Sequence, residues 1–424
     1  MAGSGIPSTG EVDVAVVGAG AAGLAAAKRL LKRQPGLKVV VLEAAARPRP
    51  GGRALTIDVP AIGASVDLGC GWLHGARSNP WTRIAQTLGF TIDRTPPPWD
   101  LQHQDLGFSP EARAAYEQAA SAFYGRTAAA QTEPDDRSLG SLLAPEEPWN
   151  GLLDAVSTYV SGAELDRISV HDSARYRVRG PDWRVVEGHG RTVSAFGADV
   201  PVALNAAVSR IDHGGIGHIR LRTRRGVVRA RTTIVTVSTD VIAAETLRFD
   251  PPLPDKVAAA AGLPLGLANK VFLRLGTPDE LPSDGHLIGS PGRARTGAYH
   301  LRPFGRPVIE GYFGGDLARE LEAAGDEAAA AFALDELAAL LGERFHQRPQ
   351  LLVATAWGRE PTIRGSYAYA RPGAAGNRAV LATPVDDRIF FAGEATSPDA
   401  FTTARGAYAS GVAAAEQALA SLTA

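Results

Sequence analysis

Between Val12 and Glu43 the chain carries a pattern that few folds accommodate. The apolar run Val12–Val17 (VDVAVV) leads into Gly18-Ala19-Gly20-Ala21-Ala22-Gly23. The helix-forming stretch Ala21–Leu31 follows, then Lys38–Leu42 (KVVVL), and the segment closes on Glu43. A near-continuous apolar run reads as a strand buried in a parallel sheet, and the strand–glycine turn–helix–strand order is a βαβ unit. The glycines let the backbone approach a pyrophosphate at the helix N-terminus, and an acid at the end of the second strand can accept hydrogen bonds from ribose hydroxyls. Alone, the glycines could form a turn without a ligand; with Glu43 about 20 residues on, they read as a dinucleotide site. Gly18, Gly20, Ala22, Gly23 and Glu43 are the candidate cofactor residues, and the acid disfavours a 2′-phosphate.

The length of 424 residues suggests two domains with a ligand cleft between them. With 45% hydrophobic and 21% charged residues the chain should fold, and a net charge of -1 supplies no field for nucleic acid or an anionic membrane. The expected partner is a small molecule, acting on a monomer or homodimer. Cys70 is the single cysteine, so no intrachain disulfide and no cysteine metal site can form, and no metal is expected. Met1–Gly10 reads as a flexible leader, and the longest apolar runs fall short of the roughly 20 residues of a membrane span, so a cytoplasmic protein is expected.

Composition shifts after Asp93, at Pro96-Pro97-Pro98 and a helical stretch near Ala112–Phe123. Strand-like segments follow at Val200–Leu204, Val208–Ile211, Ile219–Arg222 and Thr232–Val237, the last resembling the closing strand of a nucleotide-binding sheet. Lys270–Leu275, His286–Ile288, Val308–Phe313 and Leu351–Trp357 suggest a second sheet, with a helix over Asp326–Leu341. Ile389–Phe391 is a short strand and Gly406–Leu422 a helix. The expected fold is α/β: a Rossmann-like cofactor domain (11–95, 185–265 and 375–424) interleaved with a mixed-sheet plus helices substrate-binding domain (96–184 and 266–374).

Arg47-Pro48-Arg49-Pro50-Gly51-Gly52-Arg53 adds two glycines and three guanidinium groups able to pair with a pyrophosphate. Together with Glu43 it resembles the second motif of the flavin amine oxidase family, which comprises monoamine oxidases, polyamine oxidases and histone lysine demethylases. The spacing to Gly51-Gly52-Arg53 is about two residues longer than usual there, so Arg53 is the residue carried over. Asp67–Gly75 (DLGCGWLHG) resembles the segment that lies along the flavin in polyamine oxidases, and Phe391–Glu394 with Thr403–Gly411 resembles the family's closing motif.

The resemblance implies noncovalent FAD, because Ser366 stands where monoamine oxidases carry the flavin-bonding cysteine. It implies cofactor contacts at Arg53, Gly71, Trp72, Val208, Trp357, Gly393, Glu394 and Thr403. Lys270 matches a lysine that holds a water at flavin N5, and Trp357 and Tyr367 match the aromatics beside the isoalloxazine and the substrate amine. Thr403 replaces the second aromatic wall of monoamine oxidases, leaving room for a bulkier substrate. His74 could contact the amine or close a turn; Glu187 is a weaker candidate, and Arg405 receives no role.

The implied activity is hydride transfer from an amine α-carbon to flavin N5, giving an imine, with O2 reduced to H2O2; a polyamine-like substrate is favoured. Alternatives remain: an L-amino acid oxidase, for which Arg175, Arg177 or Arg184 could clamp the carboxylate, a secondary-metabolism oxidase or desaturase, or a non-catalytic flavin-stabilised binding protein.

Overall fold

The computed structural model describes residues 10–46, 50–100, 102–103, 106, 108–277, 280–342, 345 and 349–423. Strand β1 (Glu11–Val17), helix α1 (Ala21–Arg33) and strand β2 (Val39–Leu42) form the βαβ unit, and the Val-rich strands are buried along most of their length. Helices α2 (Pro110–Ala130) and α3 (Asn150–Ser161) follow. The chain then returns through β3 (Val202–Ala203), β4 (Val208–Asp212), β5 (Ile219–Thr223), β6 (Gly226–Val235) and β7 (Arg248–Asp250). A second sheet is built from β8 (Ala268–Arg274), β9 (Gly285–Ile288), β10 (Ala298–Leu301) and β11 (Val308–Gly314). Helices α4 (Gly315–Ala324) and α5 (Asp326–Leu341) precede its last strand, β12 (Gln350–Ala354). Strand β13 (Ile389–Phe391) and helix α6 (Ala404–Thr423) end the chain.

The fold is α/β, with a Rossmann-like first sheet ordered β7-β4-β5-β6-β1-β2-β3 and β13 beside β6. Strand β1 runs parallel to β2 and β6, and β13 parallel to β6, while β5 is antiparallel to its neighbours. The segment read as a closing strand, Thr232–Val237, lies inside the sheet as the end of β6, because β6 is long enough to pair with β5 first and with β13 further on. Helices α1 and α6 pack against each other closely: a Cβ added at Gly411 would stand 2.1 Å from the carbonyl oxygen of Ala22.

The second sheet is antiparallel, ordered β9-β10-β11-β8-β12. Cross-strand partners share a face, so the register builds two rows: Lys270, Tyr312, Ala298 and Ile288 in one, Phe272, Glu310, His300 and His286 in the next. Strand β10 was not expected from sequence, and Trp357 lies in a loop beyond β12 rather than at a strand end. Among the described residues no helix is long and apolar enough to cross a membrane.

Candidate functional site

A continuous cleft of about 1230 Å³ runs from the β1–α1 turn to the face of the second sheet. Gly18, Gly20, Ala22, Glu43 and Val208 line one end. Gly23 stands just behind them, where a Cβ would lie 2.0 Å from the Gly18 carbonyl oxygen; Gly18, at φ 103°, completes the tight turn. Glu43 does more than sequence spacing implies. Its two carboxylate oxygens accept backbone N–H bonds from Ala19 (2.7 Å) and Ala45 (2.8 Å), tying the glycine turn to the loop that follows β2. Each oxygen keeps a lone pair for a hydroxyl.

In the middle of the cleft, Gly51, Gly52 and Arg53 face Gly393, Glu394, Thr402 and Thr403. The Arg53 guanidinium is held by Glu394 (2.9 Å) and the Ser366 carbonyl (2.5 Å), so it positions this wall. Glu394 also accepts from the N–H groups of Thr402 (3.0 Å) and Ala368 (3.1 Å), shaping the loop ahead of α6. The first residues of α1 and α6 both line the cleft, so two positive helix ends meet it. Arg47 and Arg49 lie outside the described residues.

At the far end Gly71, Trp72, His74, Lys270, Trp357 and Tyr367 converge. Lys270 is 8% exposed; its Nζ donates to the Asp67 carbonyl (2.9 Å) and pairs with Glu310 (2.8 Å). Burial pushes its pKa down, but the Glu310 charge and hydrogen bond, with Asp67, raise it above the ordinary value. A Cβ at Gly71 would come within 3.8 Å of Nζ, so the bare glycine leaves that space open. The Trp357 ring N–H donates to the Leu68 carbonyl (3.1 Å), and the Tyr367 hydroxyl donates to the Tyr159 carbonyl (2.6 Å) while meeting the Tyr312 hydroxyl at 2.9 Å. Both rings are thereby fixed.

Other candidates fall elsewhere or act structurally. His74 lines the cleft and stands 3.3 Å from Asp182, which also accepts from the Gly75 N–H. Glu187 binds Thr91 outside the cleft, and Arg405 bonds Ser78 near the surface. None of the arginines considered as a carboxylate clamp lines the cleft. Arg175 binds the Ala375 carbonyl, Arg177 binds nearby carbonyls, and Arg184 is buried between Asp93 and Asp284. Ser366 exchanges hydrogen bonds with the Ala268 backbone. Cys70 also lines the cleft, its thiol pushed up to about 12 by burial and the Asp67 charge. Sequence reasoning missed Glu310, His300, His286, Gln102 and Trp99, all on the cleft wall. The period-two alternation of Val308–Gly314 could have placed Glu310 and Tyr312 on one face, but not opposite Lys270.

These features fit an elongated dinucleotide: Gly18, Gly23 and Gly51, which have no room for a Cβ, two helix ends for a pyrophosphate, an acid at one end, and aromatic rings at the other. The sequence signature of the family described as flavin containing amine oxidoreductase matches residues 21–419. The chain is 30% identical over 439 residues to lysine-specific histone demethylase 1 homolog 2 of Oryza sativa subsp. japonica, covering 96% of this chain and 57% of that protein. It is 28% identical to the probable polyamine oxidase 4 of Arabidopsis thaliana, covering 96% and 86%. The chain thus spans little more than half the length of the demethylase relatives it matches. A putrescine oxidase bound to putrescine shares the fold, with a TM-score of 0.77 at 22% identity over 97% of this chain and 99% of that one. The chain belongs to the family of flavin-containing amine oxidoreductases, with FAD as its cofactor.

Proposed function

We propose that this protein oxidises a small-molecule amine of polyamine-like type, holding FAD noncovalently. The observation that carries the reading is the convergence of buried Lys270 with the fixed rings of Trp357 and Tyr367 at the end of the cleft opposite the glycine turn. Bound FAD supplies the hydride acceptor for the amine α-carbon and returns the electrons to dioxygen, releasing hydrogen peroxide.

The protein's own part is positioning and desolvation. Trp357 and Tyr367 offer π faces to an alkylamine, and the apolar floor of Ala268, Ala298 and Ile288 disfavours its charged form, so the reactive neutral amine is favoured. Lys270, held charged by Glu310, donates hydrogen bonds and does not serve as a base at neutral pH. The Tyr367 hydroxyl stays neutral, since burial and then Tyr312 raise its pKa well above the ordinary value. Noncovalent attachment is supported by Ser366, whose hydroxyl is engaged by backbone, and by the suppressed thiolate of Cys70.

Thr403, small and buried, leaves the cleft wider than a second aromatic ring would, which favours a second reading: oxidation of an N-methylated lysine side chain. The test is anaerobic mixing of the FAD-loaded protein with monoamines, polyamines, L-amino acids and a methyl-lysine peptide. Bleaching of the flavin band by polyamines, reversed by air with peroxide formed, supports the first reading. Bleaching by the peptide alone supports the second, and bleaching by none removes both.

A further inference from the structure

Two buried polar groups on the cleft wall take no part in the chemistry above. His286, 6% exposed, faces the cleft from β9, and its Nδ1 has no hydrogen-bond partner among the described residues. The Nε2 of Gln102 is buried in the same wall and likewise lacks one. The orientation of that amide is fixed, because its Oε1 accepts from the Ile288 N–H (2.9 Å) and so leaves Nε2 as a donor. The adjacent residue His103 donates its N–H to the His286 carbonyl (2.7 Å), clamping the loop to the edge of β9. A buried donor or acceptor without a partner is costly enough that natural proteins rarely leave one unserved.

The surroundings define what would serve them. Burial, then the neighbouring His300, lowers the His286 pKa to about 4, so the ring is neutral at physiological pH and offers one donor and one acceptor. The neighbouring polar side chains are already engaged: Glu310 by Lys270, and His300 (3.0 Å) and Arg184 (2.8 Å) by Asp284. Trp72 and Trp99, 4.7 Å apart and edge to face, form an aromatic side wall. A bare ammonium has no acceptor and would leave the Gln102 donor unpaired. A carboxamide has both an acceptor oxygen and an N–H.

The strand register gives the distance. His286 is on β9, three strands from Lys270 on β8, on the order of 14 Å across the sheet at the usual strand spacing. A molecule reacting beside Lys270 would reach the wall with an extended tail.

We infer that His286 and Gln102 form a second, uncharged subsite that binds a carboxamide on the far end of the amine substrate. This rests on the amine-oxidising reading of the same cleft and narrows its substrate class to amines with a neutral, hydrogen-bonding tail.

The test compares an ω-amino carboxamide, an α,ω-diamine and an n-alkylamine of matched, graded chain lengths. Each is also made with two methyl groups on every amine-bearing carbon, both ends in the diamine; lacking an α-hydrogen, these analogues cannot be oxidised. Calorimetric affinity of the unreactive analogues for the FAD-loaded protein reads the subsite independently of turnover. The expected result is about tenfold tighter binding of the carboxamide than of the alkyl analogue at one optimal length, the gain of roughly one net hydrogen bond. His286→Phe should close that gap. Gln102→Glu, which keeps the acceptor for Ile288 while replacing the donor, should move the preference to the diamine; it also guards against a folding defect in the first variant. Equal affinities for carboxamide and alkyl tails at every length would overturn the inference. Failure of every amine to bleach the flavin would instead remove the oxidase reading, while the calorimetric gap would still decide whether the subsite exists.

Discussion

The ammonium of Lys270 lies 2.8 Å from a carboxylate oxygen of Glu310, a partner supplied by the adjacent strand of the second sheet. Burial opposes the charge on both groups, yet each is held in its charged form by the other: Lys270 above its ordinary pKa, Glu310 below. The pair therefore stabilises the fold between those limits. Its contribution is lost as pH falls through the lowered pKa of Glu310 and as it rises through the raised pKa of Lys270.

Glu310→Gln removes the two largest influences that raise the Lys270 pKa and leaves burial opposed only by Asp67 and Tyr312, so the folded pKa should fall below the unfolded value. The variant should lose about 3 kcal/mol at neutral pH, and its stability should then rise with pH as the folded state sheds the proton first. Denaturant unfolding of both proteins between about pH 6 and about pH 9 checks this; parallel curves for the two would refute the coupling.

Glu43 accepts two backbone N–H bonds, so Glu43→Gln turns one acceptor into a donor facing an N–H. FAD affinity should weaken by about 10- to 100-fold, the loss of one or two charge-assisted bonds. Flavin-fluorescence titration of the apoprotein measures it, and an unchanged dissociation constant would show that Glu43 is dispensable for the turn.

With its thiol pushed up to about 12, Cys70 should resist iodoacetamide in the folded protein at pH 8, where only on the order of one molecule in 10⁴ would be thiolate. Mass spectrometry should find the carbamidomethyl group only after unfolding. Rapid labelling of the native protein would mean that the pocket does not suppress the thiolate.

Arg378 and Asp172, each 2% exposed, form a two-pronged ion pair with both contacts at 2.7 Å. The same guanidinium reaches the carbonyls of Ala368 and Ala395 and lies over the Phe401 ring, joining three segments of the cleft wall. Asp172→Asn should cost about 3–5 kcal/mol, because it strands a buried cation. Pairing it with Arg378→Met should cost less than the sum of the two single changes. Denaturant unfolding of the four proteins decides, with strict additivity as the contrary result.

The sequence by itself determined the βαβ unit, the glycine turn and the register of Glu43, because those depend on spacings within about 30 residues and on the incompatibility of a Cβ with a tight turn. It also placed Lys270, Trp357 and Tyr367 by resemblance. Tertiary structure alone decided which groups meet. Glu310 faces Lys270, and His286 falls in the Glu310 row, only because β9, β10, β11 and β8 pair in one particular antiparallel register. A shift by one residue would turn each of those side chains to the opposite face. The same long-range packing drew Arg53 onto Glu394 and closed Arg184 between Asp93 and Asp284. Neither partner could be read from local spacing, since the charges come together across 341 and 91 residues of chain.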